Sequence, residues 1–154
     1  MTKSIKLTEA DLAIIRILQQ DGRRAYADIA AEIGLAPSTV QQRANRLINA
    51  GVIKITALVD PMVVGISVMG LLSVKVDSKY LLDAAKAIGE FNEVDYVVIC
   101  TGSYNLLVEI ACQDNDAVLR FISNELAQVE GVRDVETSLY LRIVKDTDQW
   151  IGPS

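Results

Sequence analysis

The sequence has no histidine, only two cysteines, three prolines and one tryptophan, and aromatic residues fill 5% of its 154 positions. Without histidine it lacks the commonest general base and the commonest metal ligand. Cys100 and Cys112 fall on what read as adjacent antiparallel strands joined at Gly102-Ser103. That register sets Cys100 opposite Asn105 and Cys112 opposite Glu93, about 20 Å apart along the sheet and far beyond disulfide reach. Both are expected to be buried apolar residues. No run approaches the roughly 18 uninterrupted apolar residues of a membrane span; the longest candidate, Met62 to Val74, is broken by Ser67 and Ser73. The N-terminus carries no signal-peptide core, so a cytoplasmic location is expected, with no membrane partner. There is no nucleophile beside a base, no phosphate-cradling glycine loop and no cluster of metal-ligand spacing. Neither enzymatic activity nor a cofactor or metal is expected, and the acidic pair Asp114 and Asp116 sits where a helix N-terminus favours acids.

What is present is a globular composition, 51% hydrophobic and 23% charged, in a chain long enough for one ordinary domain or two small ones. The net charge of -5 argues against indiscriminate coating of nucleic acid. It is also unevenly spread. Residues 1–60 carry eight Lys or Arg against six Asp or Glu, a balance of +2, while residues 61–154 carry seven against fourteen, a balance of -7. Two modules with different partners follow from this asymmetry.

The first module reads as three helices. Thr8 with Asp11 three residues on is a capping-box variant, with Leu7 and Leu12 as a hydrophobic staple. The expected core stripe of this helix is Leu12, Ile15 and Leu18, widened by Ile14 and Ile17, with Gly22 after its end. A second helix is expected over Tyr26–Ile33, with Ile29, Ala30 and Ile33 inward and Gly34 closing it. The third opens with Pro37 in its first turn and stops before Gly51, its apolar series being Val40, Ala44, Leu47 and Ile48. Tight turns between them make a helix-turn-helix over residues 1–53.

"KITALVD" reads as a strand within a linker over residues 54–65. Residues 66–154 then give a strand (Ile66–Val76), a helix (Ser78–Ile88), two strands (Val94–Thr101 and Tyr104–Cys112), a helix (Asp114–Val129) and a strand (Val132–Val144). That βαββαβ order is the ferredoxin-like sandwich, one antiparallel sheet with both helices on one face, so the fold class is α+β. "ISVMGLLSV", "YVVI" and "YNLLVEIA" are apolar on both faces, whereas a half-wet sheet alternates. The uncovered face is therefore expected to pack on a second copy, giving a homodimer at least.

The outward series of the third helix is uncharged or basic. Ser38, Gln41, Gln42, Asn45, Arg46 and Asn49 carry donors and acceptors without a carboxylate, although acids outnumber bases in the chain. Asn and Gln pair bidentately with adenine, Arg with guanine or phosphate, and Ser or Thr with phosphate near a helix N-terminus. Thr39 and Arg43 flank the series. Arg23 and Arg24 before the second helix and Lys54 after the third are placed to grip the phosphate backbone. A solvated polar helix face is the bland alternative; the missing acids, the three-helix spacing and the local positive balance favour double-stranded DNA.

Taken together, "LTEADLAIIRILQQDGR", "DIAAEIGLAPSTVQQRANRLINAGVI", "VDP" with a following glycine, "TGSYNLLVEI" and "ETSLYLRIVK" resemble the leucine-responsive regulatory protein and asparagine-synthetase-regulator family, Lrp/AsnC, across residues 7–145. The resemblance implies an N-terminal DNA-binding helix-turn-helix, a strand linker and a C-terminal ferredoxin-like domain. That domain would sense an amino-acid effector between subunits, dimerise through its sheet and often build octamers. It places the effector against Gly102, Ser103, Tyr104 and Asn105, with Thr137 on the last strand. Many members read Thr-Gly-Asp-x-Asp where this chain has Ser103 and Asn105, and carry a serine cap where it has Ala36. Loss of the two carboxylates removes a charge-assisted partner for an ammonium group. The resulting expectation is an effector that binds weakly or is not a simple α-amino acid. Two rival functions are a ferredoxin-like enzyme with a helical appendage and a sensor subunit whose helices bind protein; salt-dependent binding to duplex DNA separates the leading reading from the second.

Overall fold

In the computed structural model, which describes residues 6–145, Thr8 caps the first helix, α1 (Glu9–Gln20). Its hydroxyl accepts the Asp11 N–H at 3.3 Å, and the Asp11 carboxylate accepts the Thr8 N–H at 2.9 Å, so two otherwise orphaned donors are satisfied reciprocally. The inner stripe of α1 differs from the expected Leu12, Ile15 and Leu18. Asp11, Ile14 and Leu18 are the buried residues, and Leu12 is exposed. The true stripe keeps helical i, i+3, i+7 spacing but starts on an acid, which a search for apolar periodicity passes over.

The second helix, α2 (Tyr26–Ile33), turns Ile29 and Ala30 inward, and the third, α3 (Pro37–Asn49), turns Val40, Ala44 and Leu47 inward. Ile48, expected in that series, is exposed. Its 80° offset from Val40 at 100° per residue puts it on the rim. Gly51, at φ +70°, ends α3: its N–H donates to the Ile48 carbonyl at 2.9 Å, and that of Val52 donates to Leu47 at 2.9 Å. This is the Schellman pattern, whose left-handed residue favours glycine. Neither Ala25 nor Ala36 supplies a side-chain cap to the helix it precedes. The module closes around Ile14, Leu18, Ile29, Ala30, Val40 and Ala44.

Residues 54–60, expected as a strand, enter no ladder, and Ile55, Leu58 and Val59 are exposed. Their β-branched composition favours extension, but no strand among the described residues offers them backbone partners. The chain divides into two compact units, with residues up to Leu58 in one and Val59–Val144 in the other.

The second unit contains β1 (Val68–Val76), α4 (Leu81–Ile88), β2 (Val94–Ile99), β3 (Leu106–Cys112), α5 (Asn115–Arg120) and β4 (Val132–Leu139). Its sheet is antiparallel with order β2-β3-β1-β4, the ferredoxin-like arrangement expected from the sequence. The strands and α4 are shorter than expected by two to five residues each. Pairing Leu72 with Val108 and with Thr137, and Val74 with Leu106 and with Val135, puts β1 at the centre. Leu72, Val74, Val76, Leu106, Val108, Ile110 and Cys112 face the helices and meet Ala84, Ile88, Val118, Phe121 and Leu126. β2 gains one residue against β3 between Val94 and Tyr96, so the expected opposition of Cys112 to Glu93 shifts by one: the Glu93 carbonyl takes the Ala111 N–H. Cys100 is half-buried and Cys112 buried, both free.

The single helix expected over Asp114–Val129 is broken. Asp114 caps α5 by accepting the Ala117 N–H at 2.6 Å, but a π turn (Phe121–Glu125) and a 3-10 turn (Leu126–Gln128) follow. Phe121 and Leu126 are both buried. Five residues apart, they would lie about 140° apart on an α-helix. The wider i to i+5 turn brings both onto the sheet.

Candidate nucleic-acid interface and effector turn

Around the axis of α3, Val40, Ala44 and Leu47 define the buried side, and Ser38, Gln42, Asn45 and Asn49 lie opposite them at 100° per residue. All four are exposed, as is Gln41 at the edge, and their side chains make no intramolecular hydrogen bond among the described residues. A row of free amides and a hydroxyl is therefore presented on one face of the helix. Thr39 is half-buried on the flank.

Arg46, expected on the outward face, and Arg43, expected on its flank, point to the same side of α3. Both turn to the α1 flank and converge on Asp11, whose carboxylate has no solvent exposure: Arg43 Nη1 is 3.1 Å from Oδ1 and Arg46 Nη2 is 2.7 Å from Oδ2. Arg43 Nη1 also donates to the Thr8 hydroxyl at 3.1 Å. Burial works to raise the Asp11 pKa, but the Thr8 N–H, the Thr8 hydroxyl and the two guanidiniums outweigh it and hold the carboxyl at about 2. The face of α3 does lack a carboxylate; α1 supplies one. Each arginine keeps exposed area, so each retains donors for a second partner.

Of the other expected backbone grips, Arg24 is 3.6 Å from Glu32 in an exposed pair, while Arg23 and Lys54 are exposed with no ion pair among the described residues.

In the second unit Gly102 has φ +131°, in the region L side chains rarely adopt, and both it and Ser103 are exposed at the β2–β3 turn. The Tyr104 hydroxyl donates to Asp134 Oδ2 at 3.2 Å, a bond that raises the phenol's pKa. Asn105 is occupied: its Oδ1 accepts the Val76 N–H at 2.8 Å and its Nδ2 donates to the Val76 carbonyl at 2.7 Å. Its amide thus carries the pairing to the last residue of β1, beyond the start of β3, as a strand residue would.

Thr137 pairs with Leu72, four residues along β1 from Val76, which is roughly 13 Å. It shares the helix-side face with Leu72, whereas Tyr104 reaches Asp134 on the alternate face. One chain therefore does not gather Thr137 with the turn. A cavity of about 360 Å³ lined by Ile122, Ala127, Val132, Arg133, Asp134 and Val135 contains none of the expected effector residues.

Two residues with clear roles were missed in the sequence. In the sequence Asp11 reads only as a capping acid, although its i, i+3, i+7 relation to Ile14 and Leu18 marks it as inward-facing. Asp134, the Tyr104 partner, leaves no such signal, because it depends on the register of β4 beside β1.

No helix among the described residues is long and apolar enough to cross a membrane. Residues 7–54 match a winged helix-turn-helix DNA-binding model, and residues 70–150 match the Lrp/AsnC ligand-binding domain. The HTH-type transcriptional regulator PH0140 of Pyrococcus horikoshii is 32% identical over 94% of this chain and 92% of its own length. The HTH-type transcriptional regulator FL11 of the same organism is 32% identical over 94% and 96%. Among solved structures, the transcriptional regulator NMB0573 of Neisseria meningitidis, crystallised as an L-Met complex, superposes with a TM-score of 0.84 at 25% identity, covering 95% of this chain and 97% of that one. With both modules matched in order and curated relatives matched nearly end to end, this chain belongs to the Lrp/AsnC family of transcriptional regulators.

Proposed function

We propose that the protein is a sequence-specific regulator that reads duplex DNA with the outward face of α3 and is modulated by a small molecule bound at the β2–β3 turn of its C-terminal unit. The supporting observation is the row Ser38, Gln42, Asn45 and Asn49, exposed and free of intramolecular partners beside two arginines. Side chains with free amide edges suit bidentate contact to adenine in the major groove, while Arg43, Arg46, Arg23 and Lys54 suit phosphate. Action in the cytoplasm fits this role.

The effector is proposed to be an amino acid or a related molecule, as the L-Met complex of the Neisseria relative suggests. Gly102, Ser103 and Tyr104 would bound its site. Asn105 would shape the site by holding Val76, and Thr137 would join only from another subunit. This requires at least a homodimer, which the apolar outer face of the sheet favours; an octamer is an extension of the same assembly.

The test is a gel shift of the protein with its own promoter region, against a duplex of the same composition in scrambled order. Preference for the promoter supports the reading. Equal, salt-insensitive binding to both, or none, removes it. A thermal-shift screen of the twenty amino acids tests the effector: a ligand at 100 times its dissociation constant stabilises the fold by about 2.7 kcal/mol.

A further inference from the structure

Asp11 belongs to α1, well away from the outward face of α3, yet among the described residues it is the one acid ion-paired to the candidate reading helix. Its side chain is fully buried, and both oxygens are used, by Thr8 and by the two arginines. A carboxylate of this kind persists only when its partners stay in place, because the loss of either leaves a buried charge short of compensation. The two guanidiniums are therefore fixed before any DNA arrives. Arginine otherwise loses rotamer freedom on binding. The carboxylate also offsets one of the two positive charges on that flank.

We propose that Asp11 is a positioning residue for DNA recognition: it holds Arg43 and Arg46 on the α1 flank of α3 as a preset, half-neutralised phosphate clamp, and so leaves discrimination among bases to Gln42, Asn45 and their neighbours. The proposal rests on the DNA-reading role above. It differs from a purely structural role because it concerns the charge that the arginines present to DNA, and not only the stability of the helices.

The experiment compares wild type, Asp11→Asn and Thr8→Ala on the promoter duplex and on scrambled duplex between 50 and 200 mM salt. Asp11→Asn keeps an acceptor oxygen for Thr8 but frees one positive charge. Its affinity should fall more steeply with salt by about one phosphate equivalent, an extra loss of about 3.5-fold over that range. Its preference for the promoter should drop several-fold, because mobile arginines bind any backbone. Thr8→Ala weakens the same helix start without releasing the charge, and should keep the wild-type slope. An Asp11→Asn slope equal to wild type, or a Thr8→Ala slope that steepens equally, overturns the proposal while leaving the DNA-reading role standing.

Should Asp11→Asn fail to fold, 15N relaxation of the Arg43 and Arg46 Nε–H groups in DNA-free wild type decides the matter. Order parameters near the roughly 0.85 of rigid backbone support the clamp, and values below about 0.6 overturn it. Wild type that shows no salt-dependent binding to either duplex overturns the DNA-reading role and this proposal together.

Discussion

The buried carboxylate of Asp11 makes the helical unit acid-sensitive in a window set by its two pKa values. The folded value is about 2 and the ordinary one 3.8, so the folded state holds the charged form more strongly. A depressed folded pKa contributes stability in full above about pH 5, and that contribution is lost as pH falls from about 4 through 2. The separation corresponds to about 2 kcal/mol. Chemical denaturation followed through α1 and α3 should show wild type losing about that much more stability than Asp11→Asn between pH 5 and pH 2. Equal losses would mean that the arginines do not hold the charge. Asn105 gives a second prediction at this scale. Its amide meets both the N–H and the carbonyl of Val76, so Asn105→Asp keeps the acceptor but sets a carboxylate against a carbonyl oxygen. About 1–3 kcal/mol of stability should be lost, read as a lower melting temperature of the sheet unit. An aspartate that binds an amino acid no better and melts lower would identify Asn105 as a residue of the β1 end; one that melts unchanged would contradict the Val76 contacts.

At the scale of the element, α3 divides into a free face and a tied flank, and substitutions should sort accordingly. Gln42→Ala or Asn45→Ala should cost about 1–3 kcal/mol of promoter binding and relax preference at one base pair, whereas Lys54→Ala should weaken all duplexes alike and reduce the salt slope by about one. Quantitative gel shifts across a set of single-base promoter variants distinguish the two patterns; a uniform loss for Gln42→Ala would move base reading elsewhere. The face itself was legible, because Val40, Ala44 and Leu47 fix the helix phase and every other position follows from 100° per residue. The flank was not. Arg43 and Arg46 are drawn aside by an acid more than thirty residues earlier, and no local period encodes a tertiary ion pair. The βαββαβ order was legible for the same reason as the face, since strands and helices announce themselves by local pattern. The π turn after α5 was not, because it arises from the demand that Phe121 and Leu126 reach the sheet together. The Leu12 stripe failed on composition: an acid occupied the position that completed the true one.

For the whole molecule, the question is what lies over the sheet face opposite the helices. Alternation along the strands places Met69 and Leu71 of β1, Leu107 and Ala111 of β3, and Tyr96 and Val98 of β2 on that face, with Leu71 directly opposite Glu109 and Val98 opposite Leu107. Glu109 there accepts the Tyr140 hydroxyl at 2.9 Å, and burial together with this bond pushes the phenol up to about 12. A monomer rarely leaves an apolar patch spread over three strands in water, and a self-associating sheet would bury it two-fold, with each copy supplying the same patch. Two-fold pairing would also set two α3 helices against successive major grooves about 34 Å apart on a pseudo-palindromic site. Residues 62–154 alone should therefore form a dimer or larger assembly by light scattering. In the full chain, Leu71→Glu with Leu107→Glu should yield a monomer with unchanged circular dichroism, since both side chains lie outside the helix-side core. A charged pair buried without partners at such an interface costs several kcal/mol, more than a modest dimer can absorb. The same variant should lose promoter affinity even though α3 is untouched, because each half-site would then be bound singly. If it stays dimeric with promoter binding intact, assembly runs through another surface, and the sheet's apolar outer face has a different partner.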